Sequence, residues 1–153
     1  MNEEWNLLIK QLPKLLNQLT SQPLRPTDDR GVLPKKGVYV FYEKDKAIYV
    51  GRSNRLKSRI QQHGRQSSMH NSASLAFRMA KEEMARLHDI PKDITRKELE
   101  EAPGFDMLFF NARLRVAQMK IRVIGINDQV TQALFEIYAA LALNTKYNDF
   151  STH

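Results

Sequence analysis

Residues 37–51 read GVYVFYEKDKAIYVG, and this stretch decides the fold. It holds two short runs rich in β-branched and aromatic residues, Gly37–Tyr42 and Ala47–Val50, joined by the polar link Glu43-Lys44-Asp45-Lys46. Two such runs around a charged, turn-like link predict a β-hairpin. Directly after Gly51, Ser53 or Asn54 can cap a helix running to about His63, with Leu56 and Ile60 on its core face. Arg55, Arg59 and His63 lie four residues apart and share another face of that helix.

Working outward, Trp5, Leu8, Leu12, Leu15 and Leu19 recur at helical spacing and predict an amphipathic N-terminal packing helix. Pro13 predicts a kink or a break in it. Residues 21–36 hold three prolines and read as an ordered loop or arm. Downstream, residues 64–70 read as a polar loop and 72–89 as a helix with Leu75, Met79, Met84 and Leu87 towards a core. His70 and His88 are isolated and read as surface or loop residues. Thr95 and Glu98 form a capping-box pattern that starts a short helix, ended near Pro103-Gly104. Residues 105–118 show no clear period. Residues 119–126 read as a strand, and Asn127 or Asp128 caps a last helix ending near Asn144. The order implies an α+β fold: a small three-stranded, mainly antiparallel sheet flanked by helices, with an extra N-terminal helix and a helical insertion.

The 153 residues, 42% of them hydrophobic, suit one domain with one core. The absence of Cys excludes a disulfide framework, a thiol nucleophile and a Cys-based zinc finger. The apolar runs fall far short of the ~20 residues of a membrane span. The acidic start MNEEW lacks the basic-then-apolar order of a signal peptide, so a cytoplasmic location without membrane contact is expected. The net charge of +7 is local. From Lys46 to Lys81 there is no Asp or Glu and the segment carries +8, leaving −1 for the rest. Ser, Asn and Gln are interleaved there, as suits phosphate and sugar contacts, and a nucleic-acid partner is expected.

Gly37-Val38-Tyr39 and Tyr49-Val50-Gly51, with nine residues between the two tyrosines, resemble the paired motifs of the GIY-YIG endonuclease family. Val replaces Ile in both, a conservative change in a strand. In that family an arginine follows the second motif by about three helical turns, and a tyrosine or histidine comes one turn later. Here these are Arg59 and His63. A glutamate lies early in a later helix, matched by Glu136. A Tyr-Asn pair closes the domain, matched by Tyr147-Asn148, with Asn148 twelve residues beyond Glu136. The resemblance covers 37–63 and 119–148. Within a single domain of 1–153, residues 1–36 form a helix and arm, 37–63 the motif hairpin and helix, 64–118 an insertion, and 119–148 the strand and metal-site helix.

The resemblance implies metal-dependent hydrolysis of phosphodiester bonds, in DNA by expectation, with Mg²⁺ or Mn²⁺ as cofactor. It makes Tyr39 the base candidate, assisted by His63, with Tyr49 positioning phosphate or water. Arg59 stabilises the transition state, Glu136 binds the metal, and Asn148 buttresses the site and its substrate. Arg52, Arg55, Lys57 and Arg65 are the expected phosphate contacts. The residue chemistry agrees. A carboxylate is the hard ligand Mg²⁺ prefers, and Glu136 sits in an otherwise apolar stretch where a charge needs a partner. Ala133 and Ala140 leave room beside it. Arginine presents a planar fork suited to phosphate. A tyrosine pKa near ~10 is too high for a base at neutral pH unless a cation lowers it. His63 titrates in the useful range and is the rival base.

Singly, each residue has an ordinary structural explanation: a cross-strand tyrosine, a solvated arginine, a helix C-terminal histidine. Their joint order and spacing favour the enzyme. The alternative is a catalytically inactive nucleic-acid-binding or protein-interaction module on the same fold. Sequence specificity is expected to come from the insertion, a homodimer or a protein partner.

Overall fold

The structure is a computed structural model and describes residues 2–70 and 72–150. Its described residues form two compact units, Met1–Ile60 with Met119–His153, and Gln61–Gln118.

The first unit holds the sheet. Strands β2 (Gly37–Glu43) and β3 (Lys46–Ser53) form the predicted antiparallel hairpin. Lys44 and Asp45 turn it with positive φ at both positions, the geometry that matches the twist of the paired strands. On its other side β2 pairs antiparallel with β4 (Lys120–Gly125), setting Tyr39 between Gly51 and Val123. A fourth strand, β1 (Arg25–Pro26), adds two residues to the outer edge of β4, giving the order β1-β4-β2-β3. The α+β class therefore stands, with four antiparallel strands where three were expected. The extra one arises inside the arm because a two-residue strand containing proline has no alternation to read.

Alternation divides the sheet into two faces. Val38, Val40, Val50 and Ile124 pack on Phe135, Ala139 and Ala140 of helix α6 (Gln129–Ala142) and on Leu12 and Leu19 of helix α1 (Glu3–Thr20). α1 continues through Pro13 without the predicted break, since burial of Leu12 and Leu19 on either side outweighs one lost hydrogen bond. Asn2 caps α1 by accepting from the Trp5 N–H at 2.9 Å. Asp128 caps α6, accepting from the Thr131 N–H at 2.8 Å and hydroxyl at 2.7 Å. The opposite face of the sheet carries Tyr39, Phe41, Tyr49 and Gly51. Helix α2 (Leu56–Gly64) follows β3, with Leu56 and Ile60 buried as predicted. Its last turn belongs to the second unit.

The second unit is helical: α3 (Ser74–Leu87), α4 (Arg96–Glu101) and α5 (Phe105–Ala117). The predicted capping box opens α4, with Thr95 Oγ1 accepting from the Glu98 N–H at 3.1 Å. Leu87, expected in the core, is half exposed. His70 lies in a loop as expected but is not isolated. It lies among Phe77, Phe105 and Phe109, and its Nδ1 is 3.1 Å from a Glu100 carboxylate oxygen. No described helix is long and apolar enough to cross a membrane.

Candidate active site

Tyr39 sits mid-strand on the central strand of the sheet, with 1% of its surface exposed. Its phenol lies across the opposite residue, Gly51. A Cβ there would stand 2.2 Å from the Tyr39 hydroxyl oxygen and 2.3 Å from Cζ. The glycine of the second motif is thus the space the first motif's tyrosine occupies. The first motif's glycine has a similar cause, since a Cβ on Gly37 would lie 1.9 Å from the Ile124 carbonyl oxygen.

Arg59, on α2, donates a hydrogen bond to the Tyr39 phenol. Burial pushes the phenol pKa up, and neighbouring Tyr49 adds to this, as does the Glu136 carboxylate more weakly. The Arg59 charge and hydrogen bond pull it down but lose to desolvation. The cation that the sequence required beside this tyrosine is present, and the phenol is nonetheless held protonated at neutral pH.

Glu136 lies in the middle of α6, three-quarters buried, with Arg52 Nε 3.9 Å from its Oε2. Burial raises its carboxyl pKa and Arg52 opposes the rise. At that distance, and with Arg52 well exposed, the pair is loose and contributes little. Ala140 beside it on the helix is buried and Ala133 partly so.

Asn148 clamps β3 from its outer edge. Its Oδ1 accepts from the Val50 N–H at 2.8 Å, and its Nδ2 donates to the Val50 carbonyl at 2.8 Å. The Thr145 hydroxyl donates to the same Oδ1 at 2.7 Å, and the Tyr147 N–H donates to the Ile48 carbonyl at 3.0 Å. The amide therefore replaces a missing neighbour strand between Tyr49 and Gly51. Both ends of the amide are taken up by Val50 rather than offered to substrate. Replacing Asn148 with Ala leaves an N–H and a carbonyl of β3 without protein partners. A loss of about 2 kcal/mol is expected in chemical denaturation. Asn148→Asp, which keeps the acceptor and sets a carboxylate against a carbonyl, is expected to lose at least as much.

The structure thus places Tyr49, Arg59 and Glu136 within electrostatic reach of Tyr39 in one unit, with Arg52 beside Glu136. Arg55 and Lys57 lie exposed at the start of α2. His63 and Arg65 belong to the second unit, His63 fully buried and Arg65 exposed. A residue the sequence did not single out supports the arrangement. Buried Gln132 donates from Nε2 to the Ile126 carbonyl at 2.7 Å and to Asn54 Oδ1 at 3.2 Å, tying α6 to the loop that launches α2. Nothing local in the sequence marks it.

Residues 35–102 match the model of the GIY-YIG catalytic domain, and this segment, with the α+β sheet it helps to build, is of the GIY-YIG nuclease family. The match takes in both motifs, Arg59 and His63, and ends before β4 and α6, so Glu136 and Asn148 rest on their geometry. No curated protein and no solved structure matches the chain.

Proposed function

We propose that this chain is a divalent-metal-dependent endonuclease that hydrolyses phosphodiester bonds in nucleic acid, DNA being its substrate. The supporting observation is the buried Tyr39 phenol bonded to Arg59 within reach of the partly buried Glu136 carboxylate. The whole of 1–153 is read as one nuclease domain, residues 64–118 being an insertion in it.

The donor set suits Mg²⁺ or Mn²⁺. Among the described residues no three His, Cys, Asp or Glu gather as a metal cluster. A lone carboxylate fits a hard cation that keeps most of its waters, and does not fit zinc, which takes several nitrogen or sulfur ligands. Glu136 would hold the ion, which when bound supplies Lewis-acid polarisation of the phosphate and acidifies water.

The chain's own residues do the rest. Arg59 fixes the phenol and places positive charge where the phosphorane gains negative charge. Tyr39 orients the attacking water, and accepts its proton only in the phenolate form, reached when the phenol first gives up its own proton to solvent. Tyr49 and Arg52 position the phosphate, and Arg55 and Lys57 contact the flanking backbone. Asn148 is a positioning residue, holding β3 in register.

Two expected results follow from the state of Tyr39. Tyr39→Phe keeps the ring and removes the hydroxyl, so the cleavage rate should fall by about 10²-fold or more with little change in folding. The second concerns pH. With the phenol pKa raised, the proton-accepting form grows with alkalinity, so log rate should keep climbing above pH 8. A base titrating as histidine would flatten the profile above ~6.5 and shift the role to His63. The substrate class is tested with labelled duplex DNA, single-stranded DNA and RNA, incubated with Mg²⁺, Mn²⁺ or EDTA. Metal-dependent internal cuts in DNA are expected. Cleavage confined to RNA would overturn the DNA assignment.

A further inference from the structure

The arm ahead of the motif hairpin builds a groove of its own. Residues 30–35, with Arg55 and the first residues of α2 (56–58), line an open groove of about 540 Å³. Four exposed cations surround it, Arg30 and Lys35 from the arm, Arg55 just ahead of α2 and Lys57 in its first turn. None of the four is in an ion pair among the described residues. No acidic side chain lines the cavity. Asp29, next to Arg30 in the chain, is already engaged: its carboxylate accepts from Arg25 Nε at 3.0 Å and from the Gly31 N–H at 2.8 Å. The apolar part of the lining is Val32, Leu33, Pro34 and Leu56, with Val32 95% exposed.

This arm is fastened to the fold. The Lys35 carbonyl accepts from the Leu56 N–H at 2.9 Å, and the Lys36 carbonyl from the Ile126 N–H at 3.0 Å. Pro34 packs on Gly125 so closely that a Cβ there would meet it at 3.0 Å. Four like charges are thus gathered on an ordered frame without counter-ions. Such a cluster repels itself unless a polyanion enters.

We infer that this groove binds one strand of nucleic acid, phosphates on the four cations and a sugar or base face on the apolar lining. The inference rests on the nuclease reading and extends it. Arg55 just ahead of α2 and Lys57 in its first turn stand at the groove, and Arg59 follows Arg55 by one turn at Tyr39, so a strand in the groove flanks the phosphate to be cut. A single strand is favoured over a duplex because the cavity falls within the ~300–1,000 Å³ range of small-ligand pockets. With no aromatic ring in the lining, contact is governed by charge and is indifferent to sequence.

The test is fluorescence anisotropy with a labelled single-stranded DNA oligonucleotide in EDTA, over a range of salt, using the full chain. Arg30→Ala with Lys35→Ala should weaken binding about tenfold at low salt and reduce the salt slope by ~1.4. Both side chains are exposed, so the melting temperature should hold. Removing two cations from α1 instead, Lys10→Ala with Lys14→Ala, should change Kd by less than about twofold. Equal losses in the two double variants would mean a diffuse field and overturn the groove. So would a loss confined to duplex DNA. If the wild type binds and cleaves while the arm variant binds unchanged, the groove falls and the nuclease reading stands. If the wild type neither binds nor cleaves, both fall.

Discussion

Glu136→Gln should silence the enzyme and make its fold more stable. Cleavage is expected to drop on the order of 10²–10³-fold, because the amide cannot supply the anionic oxygen the site is built around. Stability should move the other way. Burial raises the Glu136 carboxyl pKa, so the ionised side chain costs the folded state free energy, a cost only partly offset by Arg52. It is absent below the unfolded pKa of ~4.3 and complete once pH has risen through the folded value. In EDTA, the variant should therefore melt above the wild type at pH 7.5, and the gap should close towards pH 4. A variant that is less stable at both pH values and fully active would make Glu136 a structural partner of Arg52. A residue that costs stability where it stands is expected at a working site.

Gly51→Ala should damage both fold and activity through one contact. The new methyl would lie 2.2 Å from the Tyr39 hydroxyl oxygen and 2.3 Å from Cζ, too near for any rotamer of a ring wedged in the central strand to absorb. Overpacking of this kind costs ~1–3 kcal/mol, and the displaced phenol also leaves Arg59. We expect a stability loss of about 2 kcal/mol and a cleavage loss of at least about 10²-fold. Adding Tyr39→Val removes the ring, so stability should recover in part while activity stays lost. A double-mutant cycle reads this as strong coupling. Simple additivity would mean the two residues do not meet.

The hairpin, the start of α2 and the strand at 119–126 were legible because their apolar residues alternate or repeat at one period between clear turn and cap signals. As candidate site residues, Tyr39, Arg59 and Asn148 were legible only through spacing, since nothing local distinguishes them from packing residues, whereas Glu136 also stood out as a carboxylate in an apolar stretch. α5 was hidden because its apolar residues fall on both faces. Phe105, Phe109, Ala112 and Val116 are buried, while Met107, Phe110 and Leu114 are exposed. β1 is too short to show a pattern, and the surroundings of His70 are built from phenylalanines up to 39 positions away. The state of Tyr39 was beyond the sequence for a different reason. Its pKa is a contest between burial and Arg59, and only the depth of the ring decides which wins.

The most direct test is nicking of supercoiled plasmid by the purified chain, with Mg²⁺ or Mn²⁺ and with EDTA, beside Tyr39→Phe and Glu136→Gln. The account predicts nicks in the wild type with metal, none in EDTA, and near-complete loss in both variants. Nicking that survives EDTA, or that either variant performs at the wild-type rate, would contradict it.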